Sequence, residues 1–403
     1  MNPQKAPRLG YPLFDADNHY YEPRDCFTRF IEPRYREKAI HVERDGAGRE
    51  RILVGEKPFT FLANHDFDHA ARPGALREML RRMGTPDYEG QVLLENRPEF
   101  VDREARLALM DAQGIESTFL FPTLAVCVEQ FMGDDVEQMY ANVRAFNRWL
   151  GETWGFDHQG RIYAPPLLSL LDLEHAVEEV ETVIAEGAKI IALRPGPAYG
   201  RSPADPYFDP FWARVHEAGV AVAFHIAESG YNEMMSVWFG EEPRPSSHRQ
   251  SAFQWSCFYG DRPIMDTIAA LIFHNLFGRY PNLKIASVEN GSLFVPYLMK
   301  LMDKMGGMGR NGPWIGGRIR EKPSQILKRH LFVSPYHEED IPGLVDVLGA
   351  SQVLFGSDYP HPEGLASPVD FADGISALPE EQIRMIMRTN ALGLVGRKDE
   401  VLA

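Results

Sequence analysis

Short apolar runs without polar alternation recur along the chain, and stretches of helical spacing separate them. The runs predict strands near residues 13, 118, 163, 191, 222, 285, 331 and 354. Helices are expected over 100–113, 134–153, 173–186, 208–218, 264–277, 294–305, 341–348 and 378–394. In the first of these, Val101, Ala105, Leu109 and Met110 fall on one side and Gly114 supplies the stop. Strands that are apolar throughout are buried on both faces, which suits a parallel sheet covered by helices. Eight such strands with helices between them predict an α/β chain folded as a (β/α)8 TIM barrel. A doubly wound open sheet is the alternative, but it needs a Gly-rich phosphate turn after an early strand, and the sequence has none.

The first strand is followed by irregular sequence, read as an insertion at about 24–96 within a single domain over 1–403. Within it, 51–54 and 59–62 are expected to pair as a hairpin and 72–83 to form a basic helix. The His- and Asp-rich stretch 64–69 reads as a loop, because no strand or helix holds it rigid. Two further loops are expected, at 228–262 and at 306–323. The former carries Trp238, Phe239, Phe253, Trp255 and Phe258, which either line a pocket over the barrel mouth or form a subunit interface.

With 25% charged and 44% hydrophobic residues, the 403-residue composition is that of a soluble globular protein. A net charge of −15 argues against a nucleic-acid surface, which needs a basic face. Cys26, Cys127 and Cys257 have no paired spacing and fit a reducing compartment. Neither an apolar leader nor a run of membrane-spanning length is visible, so a cytoplasmic protein is expected.

A barrel places its working residues at the C-terminal ends of its strands. Those positions hold Asp17 and His19, Arg194, His225, Glu289, Tyr336 and His337, and Asp358. Each is costly beside an apolar run unless paired or metal-bound. Asp17, His19, His225, Glu289 and Asp358 are therefore the candidate ligands of a shared divalent metal. Mixed carboxylate and imidazole donors suit iron(II), zinc or manganese. One or two ions are possible, with Glu289 as a bridge or as a free general base. Glu22 and His361 are expected to orient ligands from behind.

These residues also carry a family likeness. The stretch from Leu354 through Gly356, Ser357 and Asp358 to His361 resembles the strand-eight signature of the amidohydrolase superfamily. The branch is the amidohydrolase-related one that includes relatives of aminocarboxymuconate-semialdehyde decarboxylase. The run from Asp15 to Pro23 resembles its strand-one signature, and 106–115 its helix before strand two. The resemblance implies that Asp17 takes the first place of a His-x-His pair and His19 keeps the second. It matches His225 to the strand-five ligand and Asp358 to the strand-eight Asp. Glu289 stands where the family has a strand-six His, a departure that counts against decarboxylation. Lys189 lies at the wrong end of strand four to bridge two metals. A homodimer is implied by family habit.

The leading expectation is hydrolysis by metal-activated water of an amide, ester or thioester in a medium-to-large organic acid derivative. Asp358 handles the proton, and Arg194, His337 or Tyr336 orients a carboxylate or stabilises an oxyanion. The alternative is a metal-dependent, non-oxidative decarboxylase of an aromatic or unsaturated carboxylic acid, and a non-catalytic binding barrel is the third reading. The expected partner is a small molecule, a CoA thioester or an aromatic acid.

Overall fold

In the computed structural model, residues 9–46, 48–62, 65–82, 93–258 and 261–399 are described, without the side chains of His248 and Phe258. Residues 1–8, on which the expectation of no apolar leader rested, Asn64 of the His- and Asp-rich stretch and the end of the basic helix at 83 lie outside the described residues.

Seven strands form most of a closed parallel ring. They are β1 (Leu13–Tyr20), β2 (Ile115–Pro122), β3 (Ile162–Tyr163 continuing at Leu167–Leu168), β4 (Ile190–Leu193), β5 (Ala221–His225), β6 (Ile285–Val288) and β7 (Leu331–Val333). β1 pairs with β2 and β2 with the first part of β3. The second part of β3 pairs with β4, and β4, β5, β6 and β7 follow in order. The extended segment 353–358 closes the gap: Leu354 N–H donates to Val333 O at 2.8 Å, and Ala16 N–H donates to Phe355 O at 2.7 Å. The fold is the expected TIM barrel.

This eighth segment is not the regular strand expected from its apolar run. Its backbone donors are divided among several partners. Phe355 N–H goes to Ile386 O in the C-terminal helix, and Ser357 N–H goes to the Asp15 carboxylate.

The barrel interior follows from strand alternation. Phe14, Ala16, Phe119, Phe121, Ile190, Ala192, Ala221, Ala223, Ala286, Val288 and Leu354 form one buried cluster inside the ring. Residues of opposite phase, such as Ile191 and Val222, pack under the helices.

Several expected elements differ in extent. The first helix is broken into Pro98–Val101 and Arg103–Gln113, because the Asp102 carboxylate caps the second piece by accepting Ala105 N–H. The expected 228–262 loop holds helices Tyr231–Phe239 and Ala252–Phe258. Left-handed Gly230 and Gly240 bound the former, and the aromatics expected in a loop lie on these helices. Trp238 and Phe239 are largely exposed rather than folded over the mouth. Helix Phe294–Met308 runs into the expected Gly-rich loop. The expected hairpin is present but short: Leu53 and Val54 pair antiparallel with Pro58 and Lys57, and Phe59 N–H donates to Ile52 O at 2.9 Å. Glu50–Val54 also pairs along its length with Ile40–Arg44, and Asp45 accepts Arg49 N–H at the end of that pairing. The closing helix contains a wide π turn at Met385–Thr389. No helix among the described residues is long and apolar enough to cross a membrane.

Candidate metal centre

The candidate residues reach the barrel mouth by three different local devices. On β5, simple alternation suffices: Ala221 and Ala223 point inward, and so does His225. On β1, Phe14 and Ala16 point inward, so alternation alone would turn Asp17 and His19 away. A register irregularity between Asp15 and Asn18 reverses the phase, and His19 pairs with inward-facing Phe121. At the ends of β6 and of the eighth segment the backbone itself turns. Glu289 and Asp358 adopt φ of 55° and 53°, the left-handed region that non-glycine residues rarely enter. Tyr336 Oη donates to Glu289 O at 2.9 Å, and Asn290 Nδ2 donates to Phe224 O at 2.9 Å, which holds this turn. Gly356 is needed for close approach: a Cβ there would stand 2.6 Å from the Asp17 Cβ and collide with the Ser334 hydroxyl.

The side chains converge. His19 Nε2 lies 3.2 Å from Asp17 Oδ1, 3.4 Å from Asp358 Oδ1 and 3.6 Å from Glu289 Oε2. His225 Nε2 lies 3.2 Å from Glu289 Oε2, 3.7 Å from Asp17 Oδ1 and 3.4 Å from His19 Nε2. Two overlapping donor groups result: Asp17, His19, His225 and Glu289, and His19, Glu289, Asp358 and His361. All are buried, and within each group the donor atoms lie within 4.8 Å of one another.

The protonation pattern tests whether a cation fits. His19 Nδ1 faces Pro122 O at 3.2 Å, and His225 Nδ1 faces Ile226 O at 2.9 Å. A carbonyl only accepts, so both rings carry hydrogen on Nδ1 and present Nε2 lone pairs to the centre. Burial and the neighbouring His361 push the His19 imidazole down to about 4, which keeps it neutral at pH 7. Asp17 Oδ1 is buried without a hydrogen-bond partner. The Nε2 lone pairs of His19 and His225 thus face an Asp17 oxygen with no donor between them, an arrangement that a divalent cation satisfies. Burial also raises Glu289 to about 7 and Asp358 well above the usual carboxylate range, the latter reinforced by Glu289 beside it.

Supporting contacts fix this centre. Arg106, fully buried, donates from Nη2 to His19 O at 2.6 Å and from Nη1 to Asn18. Asp15 receives Ser357 N–H at 2.9 Å, Ser357 Oγ at 2.5 Å and Asn18 Nδ2 at 2.9 Å. Sequence reasoning gave Asp15 no role, although its place two residues before Asp17 was a usable signal.

Other expected residues lie differently. Glu22 does not orient His19. It sits beyond the end of β1, and its carboxylate accepts the N–H groups of Thr123, Leu124 and Ala125 at 2.8–3.2 Å. Pro122 O does the orienting instead. His361 is closer to the centre than expected, with Nδ1 2.7 Å from Asp358 Oδ1 and Nε2 3.0 Å from Thr123 Oγ1. Thr123 was missed, though it directly follows the end of β2, where a barrel places functional groups. His337 stands apart, part-exposed and paired with Glu338 at 3.4 Å. Tyr336 meets the site only through the Glu289 carbonyl. Arg194 lines a cavity together with His225. Lys189, at the start of β4, is exposed.

Comparison with known proteins agrees with this architecture. A solved amidohydrolase from Mycobacterium avium subsp. paratuberculosis K-10 is 40% identical, with a TM-score of 0.85 over 96% of this chain and all of that one. The 5-carboxyvanillate decarboxylase of Novosphingobium aromaticivorans DSM 12444, solved with manganese and 4-hydroxy-3-methoxy-5-nitrobenzoic acid, is 17% identical. It covers 98% of this chain and 99% of its own, with a TM-score of 0.63, and shares the fold. Among curated sequences, 2-amino-3-carboxymuconate-6-semialdehyde decarboxylase of Dictyostelium discoideum is 24% identical over 199 residues. That match spans 49% of this chain and half the length of the relative. The amidohydrolase family model matches residues 14–397, from inside β1 to past the C-terminal helix. With nearly every barrel element inside that match, the chain belongs to the amidohydrolase family.

Proposed function

We propose that this protein is a metal-dependent, non-oxidative decarboxylase of an aromatic or unsaturated carboxylic acid. The named relatives that act on such acids support this reading over the hydrolysis expected first. The observation that carries it is the 2.7 Å contact of His361 Nδ1 with Asp358 Oδ1. Thr123 Oγ1 donates its one hydrogen to Tyr20 O at 2.8 Å, so His361 Nε2 is the donor to Thr123. His361 Nδ1 and Asp358 Oδ1, 2.7 Å apart, then share one proton beside the donor cluster. Decarboxylation requires an acid at that place. Hydrolysis requires a free carboxylate base there.

Asp17, His19, His225 and Asp358 would hold a divalent ion, taken as manganese, with Glu289 as a further ligand. When bound, that ion supplies a Lewis acid for the substrate carboxylate and an adjacent oxygen. Asp358, backed by His361, delivers its proton to the carbon bearing the carboxylate. The C–C bond then breaks, its electron pair returns to the unsaturated system, and carbon dioxide leaves. Asp358 recovers a proton from water. Lys189 does not reach the centre, which supports a single ion over a lysine-bridged pair.

The test is to incubate manganese-loaded protein with hydroxybenzoates, unsaturated dicarboxylic acids, aryl esters, thioesters and amides. The proposal expects carbon dioxide from a member of the first two classes. Turnover confined to the esters, thioesters or amides would overturn it.

A further inference from the structure

Ile190 and Ala192 point into the barrel, and the same phase carries Arg194 inward at the end of β4. Leu193 is the register partner of Phe224, so Arg194 stands level with His225 on the next strand. Both line one cavity, and Ala125, Val128, Leu193 and Ala227 make its wall largely apolar.

The Arg194 side chain is only 7% exposed. Its Nη2 donates to Pro197 O at 3.3 Å, and its guanidinium lies 5.2 Å from the Tyr199 ring centre. Nε and Nη1 have no hydrogen-bond partner. The nearest carboxylate balances the charge without filling those donors. Glu129 Oε1 stays 3.6 Å from Nε because Ser169 Oγ at 2.9 Å and Tyr199 Oη at 2.8 Å hold it back. Glu228 is a second acidic group close enough to feel the guanidinium. Buried donors without acceptors are costly, so a ligand oxygen that fills them is rewarded. A cation already neutralised by Glu129 favours a neutral oxygen over another anion.

We propose that Arg194 determines specificity by donating from Nε and Nη1 to a neutral oxygen acceptor of the substrate. That oxygen, a carbonyl, hydroxyl or ether, sits on the apolar framework away from the reacting carboxylate. The inference rests on the decarboxylase reading only for the presence of that carboxylate.

The test is calorimetric binding of benzoate, 3- and 4-methoxybenzoate, 3- and 4-acetylbenzoate and isophthalate to the full-length, manganese-loaded protein. Wild type, Arg194→Lys and Arg194→Met are compared, with manganese content measured for each. Wild type should bind at least one neutral-oxygen acid about tenfold or more tighter than benzoate. That preference should vanish in Arg194→Met while benzoate affinity and manganese content hold. Lys cannot reproduce the planar pair of donors, so Arg194→Lys should also lose it, and this variant decides the matter if the Met form does not fold. An unchanged preference in the variants, an equal loss for every acid, or tightest Arg194-dependent binding by isophthalate would each overturn the inference. Binding needs no turnover, so a protein that releases no carbon dioxide still reports on Arg194.

Discussion

The backbone N–H of Asp358 donates to the carbonyl of Asp17 at 2.8 Å. This bond joins the first and last barrel segments at the level where both residues contribute a carboxylate. His19 N–H to Tyr359 O, at 2.7 Å, continues the seam. The candidate metal centre is therefore built on the barrel's closure and shares its stability.

Asp15 holds that seam from inside the barrel. Its carboxylate accepts from Ser357 N–H, Ser357 Oγ, Asn18 Nδ2 and, at 3.2 Å, Asp17 N–H. Asp15→Asn turns one of these acceptors into a donor facing donors. The variant should lose about 1–3 kcal/mol of stability. Denaturant unfolding should show this as a lower midpoint, with manganese affinity reduced because Asp17 and Asp358 share the seam.

Metal-free protein should lose stability as pH rises. Burial lifts Glu289, Asp15 and Glu22 each to about 7. For an acid whose folded pKa lies above its unfolded value, the folded state binds the extra proton between the two. Stability therefore falls from the ordinary carboxylate range, near 4.5 for Glu, up through about 7. Manganese counters the part due to Glu289 by replacing its proton. Thermal melts should show manganese stabilisation growing across that window. Calorimetry at pH 6 in buffers of different ionisation enthalpy should show proton release on binding.

Thr123 should matter through its hydroxyl alone. Thr123→Val keeps the shape but removes the acceptor that fixes His361. Given the usual effect of groups that orient a ligand, kcat should fall about tenfold to a hundredfold. KM and manganese content should hold, and Thr123→Ser should restore activity. Equal losses in the Ser and Val variants would reduce Thr123 to a packing role.

The barrel and most of its polar mouth were readable because each apolar run ends abruptly in a chemically expensive residue. His225 is the simplest case, since alternation from Ala221 and Ala223 delivers it inward. The irregularity in β1 was not visible, yet without it Asp17 and His19 would face outward. Nor was the left-handed turn at Glu289, a backbone state that glutamate does not advertise. Helices Tyr231–Phe239 and Ala252–Phe258 were hidden because nearby glycines and prolines read as loop. Glu22 was assigned to His19 by nearness in sequence, whereas its partners are backbone groups of residues 123–125, which only the fold brings near.

Anomalous diffraction from crystals grown with manganese tests the central claim most directly. One strong peak per chain should appear in contact with Asp17, His19, His225 and Asp358 together. A peak held by other residues, or none at the barrel mouth with manganese in excess, would contradict the account.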